Sequence, residues 1–400
     1  MPLQRMQPLA ITAYTATSAL GRGVDAQWNG LKGGQTGLRT QPFLDCTLPC
    51  WTGQVADLDA PLPPALAIWD CRNNRLAHIA MQQDGFAAAV ARLRDHYGAR
   101  RVGVFVGTST SGILQTERAY QERQKNELAT LPSWFHLRQT QNSFSPAEFV
   151  ATACNVSGPV MTISTACSSS AKVFASAARA IAQGWCDAAV VGGVDTLCLT
   201  TLYGFNSLQL ISPNICRPAD VSRSGISIGE AAGFAVLESA AQTKSEHALL
   251  GYGESSDAYH MSAPDPEGRG AATAMRDACA RAEIKTDAIG YVNLHGTGTP
   301  ANDAAEDRAI CSVLGDQVPC SSTKGWTGHT LGAAGILEAV ITLICLQHQH
   351  LPRSLNTETV DPNLHGKILL EDLHKPIQYA LSNSFGFGGS NCSLLFGVSS

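Results

Sequence analysis

Short β-branched runs alternate along the chain with Ala-rich stretches of helical period, a pattern that builds α/β layers around sheets buried on both faces. Segments 101–107, 160–164, 188–193, 233–238, 289–294, 367–370 and 393–396 read as strands, and 10–17, Ala-Ile-Thr-Ala-Tyr-Thr-Ala-Thr, alternates like a further one. Between 168 and 183, Ala171, Phe174, Ala178 and Ile181 fall on one helical stripe, and Gly184 follows as a stop. A second helix, from about 330 to 346, is apolar nearly all round and is therefore expected to be buried, its Gly and Ala allowing close packing. Segments 33–64 and 112–145 read as polar excursions, and 240–248 as a connection between two halves that no sequence repeat relates.

The chain has 400 residues, 44% hydrophobic and 15% charged, with 37 Gly, which supplies a large core and excludes disorder, collagen and coiled coil. A net charge of −5 gives no global electrostatic ground for binding nucleic acid or anionic lipid. The longest clear apolar run, 339–346, is short of the ~18 residues of a membrane helix, and the amino terminus lacks the basic start and apolar block of a secretory signal. The expectation is a cytoplasmic chain without a membrane span. The 13 cysteines are scattered without a CxxC pair, so they read as reduced and mostly buried. Cys46 and Cys50 form a C-x3-C without a second ligand pair, and no metal site is assigned there. His348 and His350 flank Gln349 at a helix end and read as solvent-exposed.

Four patches depart from ordinary α/β composition. In 160–171, Val-Met-Thr-Ile-Ser-Thr-Ala-Cys-Ser-Ser-Ser-Ala, a strand turns directly into the first helix and sets Cys167 at its amino terminus. Unpaired N–H groups and the helix dipole there favour thiolate over thiol, giving a poised nucleophile beside donors for an oxyanion; a buried cysteine capped by serines is the ordinary alternative. In 293–306 an apolar strand ends at His295 and enters a Gly/Thr loop carrying Thr297 and Thr299, where a cleft-facing histidine competes with a structural one. In 321–335, Lys324 and His329 stand five residues apart before the buried helix, where a capping loop with a solvated lysine is the plain explanation. In 382–391 a Gly-rich turn carries Phe385 and Phe387; GxGxxG spacing is absent, and the aromatics point to packing or a gate rather than a phosphate cradle.

Taken together, and with 256–264 and 217–223, these motifs resemble the β-ketoacyl-acyl carrier protein synthases over nearly the whole chain. The resemblance implies an α/β, thiolase-like fold of two βαβαβαββ halves in a five-layer αβαβα arrangement, 1–245 carrying the nucleophilic Cys and 246–400 the catalytic His pair and Lys. It implies decarboxylative Claisen condensation of malonyl-ACP with an acyl chain carried on Cys167. His295 and His329 would bind the malonyl thioester carbonyl, and Lys324, paired with Glu338, would support them. The backbone N–H groups of Cys167 and Phe387 would hold the oxyanion, Phe385 would gate the site, and Thr297 and Thr299 would contact the phosphopantetheine arm. The implied partners are acyl carrier protein, docking at Arg217, Arg72 and Arg75, and a homologous subunit in a homodimer or heterodimer; no metal or redox cofactor is implied. Thr165-Ala-Cys167-Ser-Ser-Ser resembles polyketide condensing enzymes, and Trp326 is bulkier than the usual occupant of its place, which turns attention to aryl polyene or polyketide-like chains beside fatty-acid elongation. The alternatives are a non-catalytic chain-length partner, expected to have lost the nucleophile, and a thiolase-type acyltransferase, which lacks the paired His295 and His329 motifs. A Ser-His-Asp hydrolase is set aside on the expectation that its Gly-x-Ser-x-Gly elbow is lacking.

Overall fold

The structure, a computed structural model, describes residues 4–398. Strands β1 (Leu9–Ser18), β2 (Val102–Gly107), β3 (Val160–Ile163), β4 (Ala188–Asp195), β5 (Ala231–Ser239), β6 (His247–Ser256), β7 (Tyr291–Asn293), β8 (Pro319–Ser321), β9 (Lys367–Ile368), β10 (Tyr379–Gly386) and β11 (Ser390–Val398) join in the order β9-β8-β7-β10-β11-β6-β1-β5-β4-β2-β3. That order contains one topology twice. β1-β5-β4-β2-β3 and β6-β11-β10-β7-β8 follow the same rule, with β4-β2-β3 and β10-β7-β8 parallel and the strands beside them antiparallel. Topology thus relates segments that no sequence repeat connects.

The helices that matter for the layers are α1 (Arg72–Met81), α2 (Phe86–Tyr97), α3 (Ile113–Lys125), α4 (Ser145–Cys154), α5 (Ser169–Ala182), α6 (Leu199–Ser207), α7 (Arg269–Ala282), α8 (Pro300–Leu314) and α9 (Ala334–His348). Alternation along the strands sorts the core into three layers. Val102, Val104 and Val106 face α1, α2 and α4, whereas Phe105 between them faces α5 and α9. In the second series Val292 and Leu381 face α7 and α8, and Tyr291 and Ala380 face the central helices. Helices therefore cover both faces of each parallel group, with α5 and α9 shared in the middle, the five-layer α/β arrangement the family resemblance implied.

The central pair decides where chemistry can gather. A Cβ at Gly335 would lie 2.4 Å from the Ala171 nitrogen, one at Gly107 would lie 2.4 Å from the Ser170 nitrogen, and the Ile336 N–H donates to Ser170 Oγ at 2.9 Å. The amino termini of α5 and α9 are thus wedged together at the end of β2, and the residues just before each helix must meet. The helical stretch Leu331–His348 has the length and mean hydropathy, 1.6, of a membrane span, but 89% of it is buried in this core. Gly332, Gly335 and Glu338 break the apolar run in the sequence without exposing the helix.

Several expectations change. The excursion at 112–145 contains α3 and a π turn at Leu137–Gln141; α3 is polar on most sides and buries only Leu114 and Ala119, which hides its period. β6, β8 and β10 were not read from the sequence, and β10 runs through Ser382-Asn-Ser to Gly386, where the Gly-rich turn was expected. His350 is buried and touches His374, while His348 is exposed and stacked on Trp28 at 4.0 Å.

Candidate active site

Two helix starts and three parallel strand ends build the site. Cys167 follows β3 and precedes α5, behind Ala166 in the left-handed region (φ 51°). His329 precedes α9, so the contact between the two helix starts brings it to the cysteine, with Nε2 at 3.0 Å from Sγ. His295 lies just past β7, Lys324 just past the neighbouring β8, and Phe385 to Phe387 lie at the end of β10 on the other side of β7. Carboxyl ends of parallel strands thus converge on one cleft. Gly386 allows the last approach, since a Cβ there would meet the Thr165 carbonyl oxygen at 2.8 Å.

Neighbouring groups fix the protons on both imidazoles. The Leu331 N–H donates to His329 Nδ1 at 3.2 Å, and Lys324 Nζ, which can only donate, lies 3.4 Å from His295 Nδ1. Each Nδ1 is therefore an acceptor, and each neutral ring carries its proton on Nε2. Burial, then the Lys324 charge, holds both histidines well below their ordinary value of 6.5; His329 lowers His295 further. Lys324 is 1% exposed, donates to the His295 carbonyl and forms an ion pair with Glu338. Burial pushes Glu338 up to about 7 against the pull of Lys324. Burial likewise pushes the Cys167 thiol up to about 11, opposed by Lys324 and by the Phe387 N–H aimed at the sulfur. The thiolate expected from helix position gives way to a resting thiol, because desolvation outweighs the donors.

Cys167 Sγ and one nitrogen of each histidine lie within 4.8 Å of one another, a spacing compatible with a metal. The donor set fits poorly: both Nε2 atoms carry protons, and flipping the His295 tautomer would turn an Nδ1–H toward Lys324. The arrangement supplies hydrogen bonds to a developing negative charge instead.

The cleft holds about 260 Å³ and reaches Thr297 and Thr299, whose hydroxyls are 2.9 Å apart. Phe385, expected as a gate, lies on β10 at 8% exposure and lines the cleft, with its ring 6.0 Å from His295. Phe387, half-buried in the turn beyond, packs on Phe205 at 5.7 Å and precedes Gly388 and Gly389 at φ 79° and 72°. Trp326 is fully buried away from the cleft, its carbonyl accepting the Gly37 N–H, so its bulk says nothing about the acyl chain. Arg72 and Arg75 are also corrected, because Arg72 is paired with fully buried Glu230 and Arg75 with Asp70, leaving neither side chain free to dock a partner. Arg217 is partly exposed, 3.6 Å from Glu358. The Gly-x-Ser-x-Gly spacing expected to be lacking does occur, at Gly225-Ile-Ser227-Ile-Gly229, but Ser227 is buried, accepts the Cys216 N–H and leads into β5 rather than a helix, so the hydrolase reading still falls. Sequence reasoning missed Glu306, whose carboxylate accepts the His295 and Gly296 N–H groups at 2.9 and 2.8 Å; its place eleven residues after His295 on α8 was the available signal.

A thiol able to carry an acyl group, faced by two N–H donors able to hold an enolate oxygen, suits carbon–carbon bond formation between thioesters, and in this duplicated fold it defines a thiolase-like condensing enzyme. Comparison with known proteins narrows the class. Residues 74–243 match the family model "Beta-ketoacyl synthase, N-terminal domain" and 247–358 match "Beta-ketoacyl synthase, C-terminal domain". The 3-oxoacyl-acyl-carrier-protein synthase 2 of Vibrio cholerae is 32% identical over 97% of this chain and 98% of its own length. A chain from the complex of the ketosynthase ApeO with its chain length factor ApeC, from Xenorhabdus doucetiae, superposes with a TM-score of 0.90 at 38% identity, covering 98% of both chains. One from the ishigamide ketosynthase/chain length factor does so at 0.89 and 26%, covering 99% of this chain and 100% of its own. The chain belongs to the β-ketoacyl synthase family and is a condensing enzyme of that family, an acyltransferase.

Proposed function

We propose that Cys167 carries the acyl chain and that His295 and His329 drive decarboxylation of malonyl-ACP. Cys167 attacks the acyl thioester of the carrier, its proton passes to the departing phosphopantetheine thiol, and the acyl group moves to Sγ. Malonyl-carrier then enters along Thr297 and Thr299. Its bond to CO2 breaks, the electron pair moves onto the thioester oxygen as an enolate, and the two Nε2–H groups hold that oxygen. The enolate carbon attacks the acyl-Cys167 carbonyl, whose oxyanion takes the N–H groups of Cys167 and Phe387. Collapse expels the Cys167 thiolate, which takes up a proton, and releases β-ketoacyl-carrier. Lys324 and Glu338 keep His295 in the donor tautomer throughout. The observation that carries this reading is the gathering of Cys167 Sγ and one nitrogen of each histidine within 4.8 Å of one another, with His329 Nε2 at 3.0 Å from the sulfur.

Retention of Cys167 with both histidines favours a catalytic subunit over a silent chain-length partner. The likeness to the ApeO–ApeC complex supports a polyene or polyketide-type pathway, aryl polyenes among them, and a homologous second subunit. Arg217 is the remaining docking candidate for the acidic carrier. The repeated strand order supports 1–245 and 246–400 as the two halves, and a cytoplasmic location goes with carrier-bound substrates. Incubation with an acyl-carrier thioester followed by peptide mass mapping tests the reading: the acyl mass is expected on Cys167, with condensation abolished in Cys167→Ala. An adduct on another cysteine, or condensation by that variant, overturns it.

A further inference from the structure

Asp195, the last residue of β4, is fully buried, and its contacts serve no step above. Its Oδ1 accepts the Thr108 hydroxyl at 2.6 Å, the N–H groups of Ser109 and Thr110 at 3.0 and 2.9 Å, and the Thr110 hydroxyl at 2.8 Å. Its Oδ2 accepts the Ser109 N–H at 2.9 Å, the Ser109 hydroxyl at 2.6 Å and the Gly332 N–H at 2.6 Å. Every one of these donors is neutral. A carboxylate held this way is a pivot, joining the end of β4, the loop leaving β2 and the turn that follows His329.

That turn is under constraint. Leu331 adopts φ 54°, a region a leucine rarely enters unless its surroundings impose it. Its neighbour Gly332 has no room for a side chain, since a Cβ would lie 2.6 Å from Asp195 Oδ2 and 2.7 Å from the Ser109 nitrogen. Held so, the Leu331 N–H points at His329 Nδ1 at 3.2 Å.

We infer that Asp195 is a positioning residue for condensation: by gripping the Gly332 N–H it fixes the Leu331 turn, whose N–H keeps His329 Nδ1 proton-free and so puts the ring proton on Nε2, facing Cys167. The inference rests on the reading of His329 as an enolate donor. Asparagine has the shape of aspartate but turns an NH2 toward a set of donors, so Asp195→Asn releases the grip with little change in volume.

The test uses full-length protein labelled with 15N-histidine, the His329 resonances being assigned by their absence from His329→Gln. Wild type is expected to carry its proton on Nε2, with Nδ1 bare. Asp195→Asn is expected to show the Nδ1–H tautomer gaining population, with decarboxylation of malonyl-carrier slowed ~10-fold at unchanged KM, a smaller loss than the ~10²-fold of removing an oxyanion donor outright. Self-acylation of Cys167 is expected to persist. An unchanged tautomer in Asp195→Asn overturns the inference whether or not activity falls, because a fall alone would mark a merely structural role. Normal decarboxylation by His329→Ala overturns the underlying reading instead, so the two failures are separable. Should Asp195→Asn not fold, Ser109→Ala carries the test: it deletes the hydroxyl that bonds Asp195 Oδ2 and lies 3.2 Å from the Gly332 nitrogen, and an unchanged tautomer there is equally fatal.

Discussion

Two proton positions govern what the cleft can do. With both Nε2 atoms protonated, His295 and His329 can stabilise an enolate, yet neither is placed to pull a proton from substrate carbon. Replacing either by alanine is therefore expected to slow CO2 release from malonyl-carrier by ~10²-fold or more, the scale for losing an oxyanion donor, while acyl transfer to Cys167 falls less. Equal losses in both half-reactions of a folded variant would refute the division of labour. The same burial has a consequence for stability. Folded, both rings stay neutral well below 6.5, whereas in the unfolded chain each binds a proton as the pH falls through 6.5. Stability must then drop on the acid side of 6.5, by up to ~1.4 kcal/mol per pH unit for each ring. Urea unfolding of wild type and of the His295→Gln, His329→Gln double variant measures it, and wild type is expected to have the steeper acid limb. Parallel limbs would mean that the native rings titrate normally. The identity of these residues was legible in the motifs, but not the protonation of Cys167: the helix position is local and readable, whereas burial on several sides is a tertiary fact.

Control of access to the thiol is expected at the turn that follows β10. The sequence placed Phe385 and Phe387 in one flexible turn because Ser, Asn and Gly are poor strand formers; pairing with β7 and β11 overrides that preference as far as Gly386. From Phe387 onward the chain leaves the strand. Gly388 has open space around its α-carbon and is tied to the facing segment by the bond from its N–H to the carbonyl of exposed Met261. Phe387→Ala is expected to uncouple the half-reactions, raising CO2 release without condensation, while Phe385→Ala chiefly destabilises the core beside His295 and shows its effect in the unfolding midpoint. Parallel assays of CO2 and β-ketoacyl product decide between the rings; uncoupling by Phe385→Ala with normal coupling in Phe387→Ala would return the gate to the strand. The same contrast explains what else could be read. Strands with continuous Val and Ile were legible, whereas β6 and β10, rich in Gly, Ser and Asn, and the polar α3 were not, since their places depend on partners far along the chain.

At the scale of the molecule, the sheet ends differently on its two sides. β9 carries Lys367 at one edge, a charge that discourages further pairing, whereas β3 at the other edge exposes Val160 and Met161 at 40% and 37% with no charged residue in its Val-Met-Thr-Ile span. Leu137 and Phe144, before α4, are exposed as well, at 61% and 56%, and α4 packs beside this same strand. An apolar, uncharged edge is a template for another strand, and a homologous subunit offering its own copy of β3 would extend the sheet across a two-fold axis and cover both faces. Assembly through this edge would also bear on chemistry, because β3 leads directly into Cys167, so pairing stiffens the strand from which the nucleophile turn departs. Val160→Lys with Met161→Lys places two charges on the edge, one to each face of the sheet. The pair is expected to shift the protein from dimer to monomer in sedimentation measurements, whether the partner is a second copy or a co-expressed homologue, and to lower condensation more than it lowers the unfolding midpoint. A doubly substituted protein that still sediments as a dimer would show that the subunits meet elsewhere, and β3 would then be an ordinary solvent-facing edge.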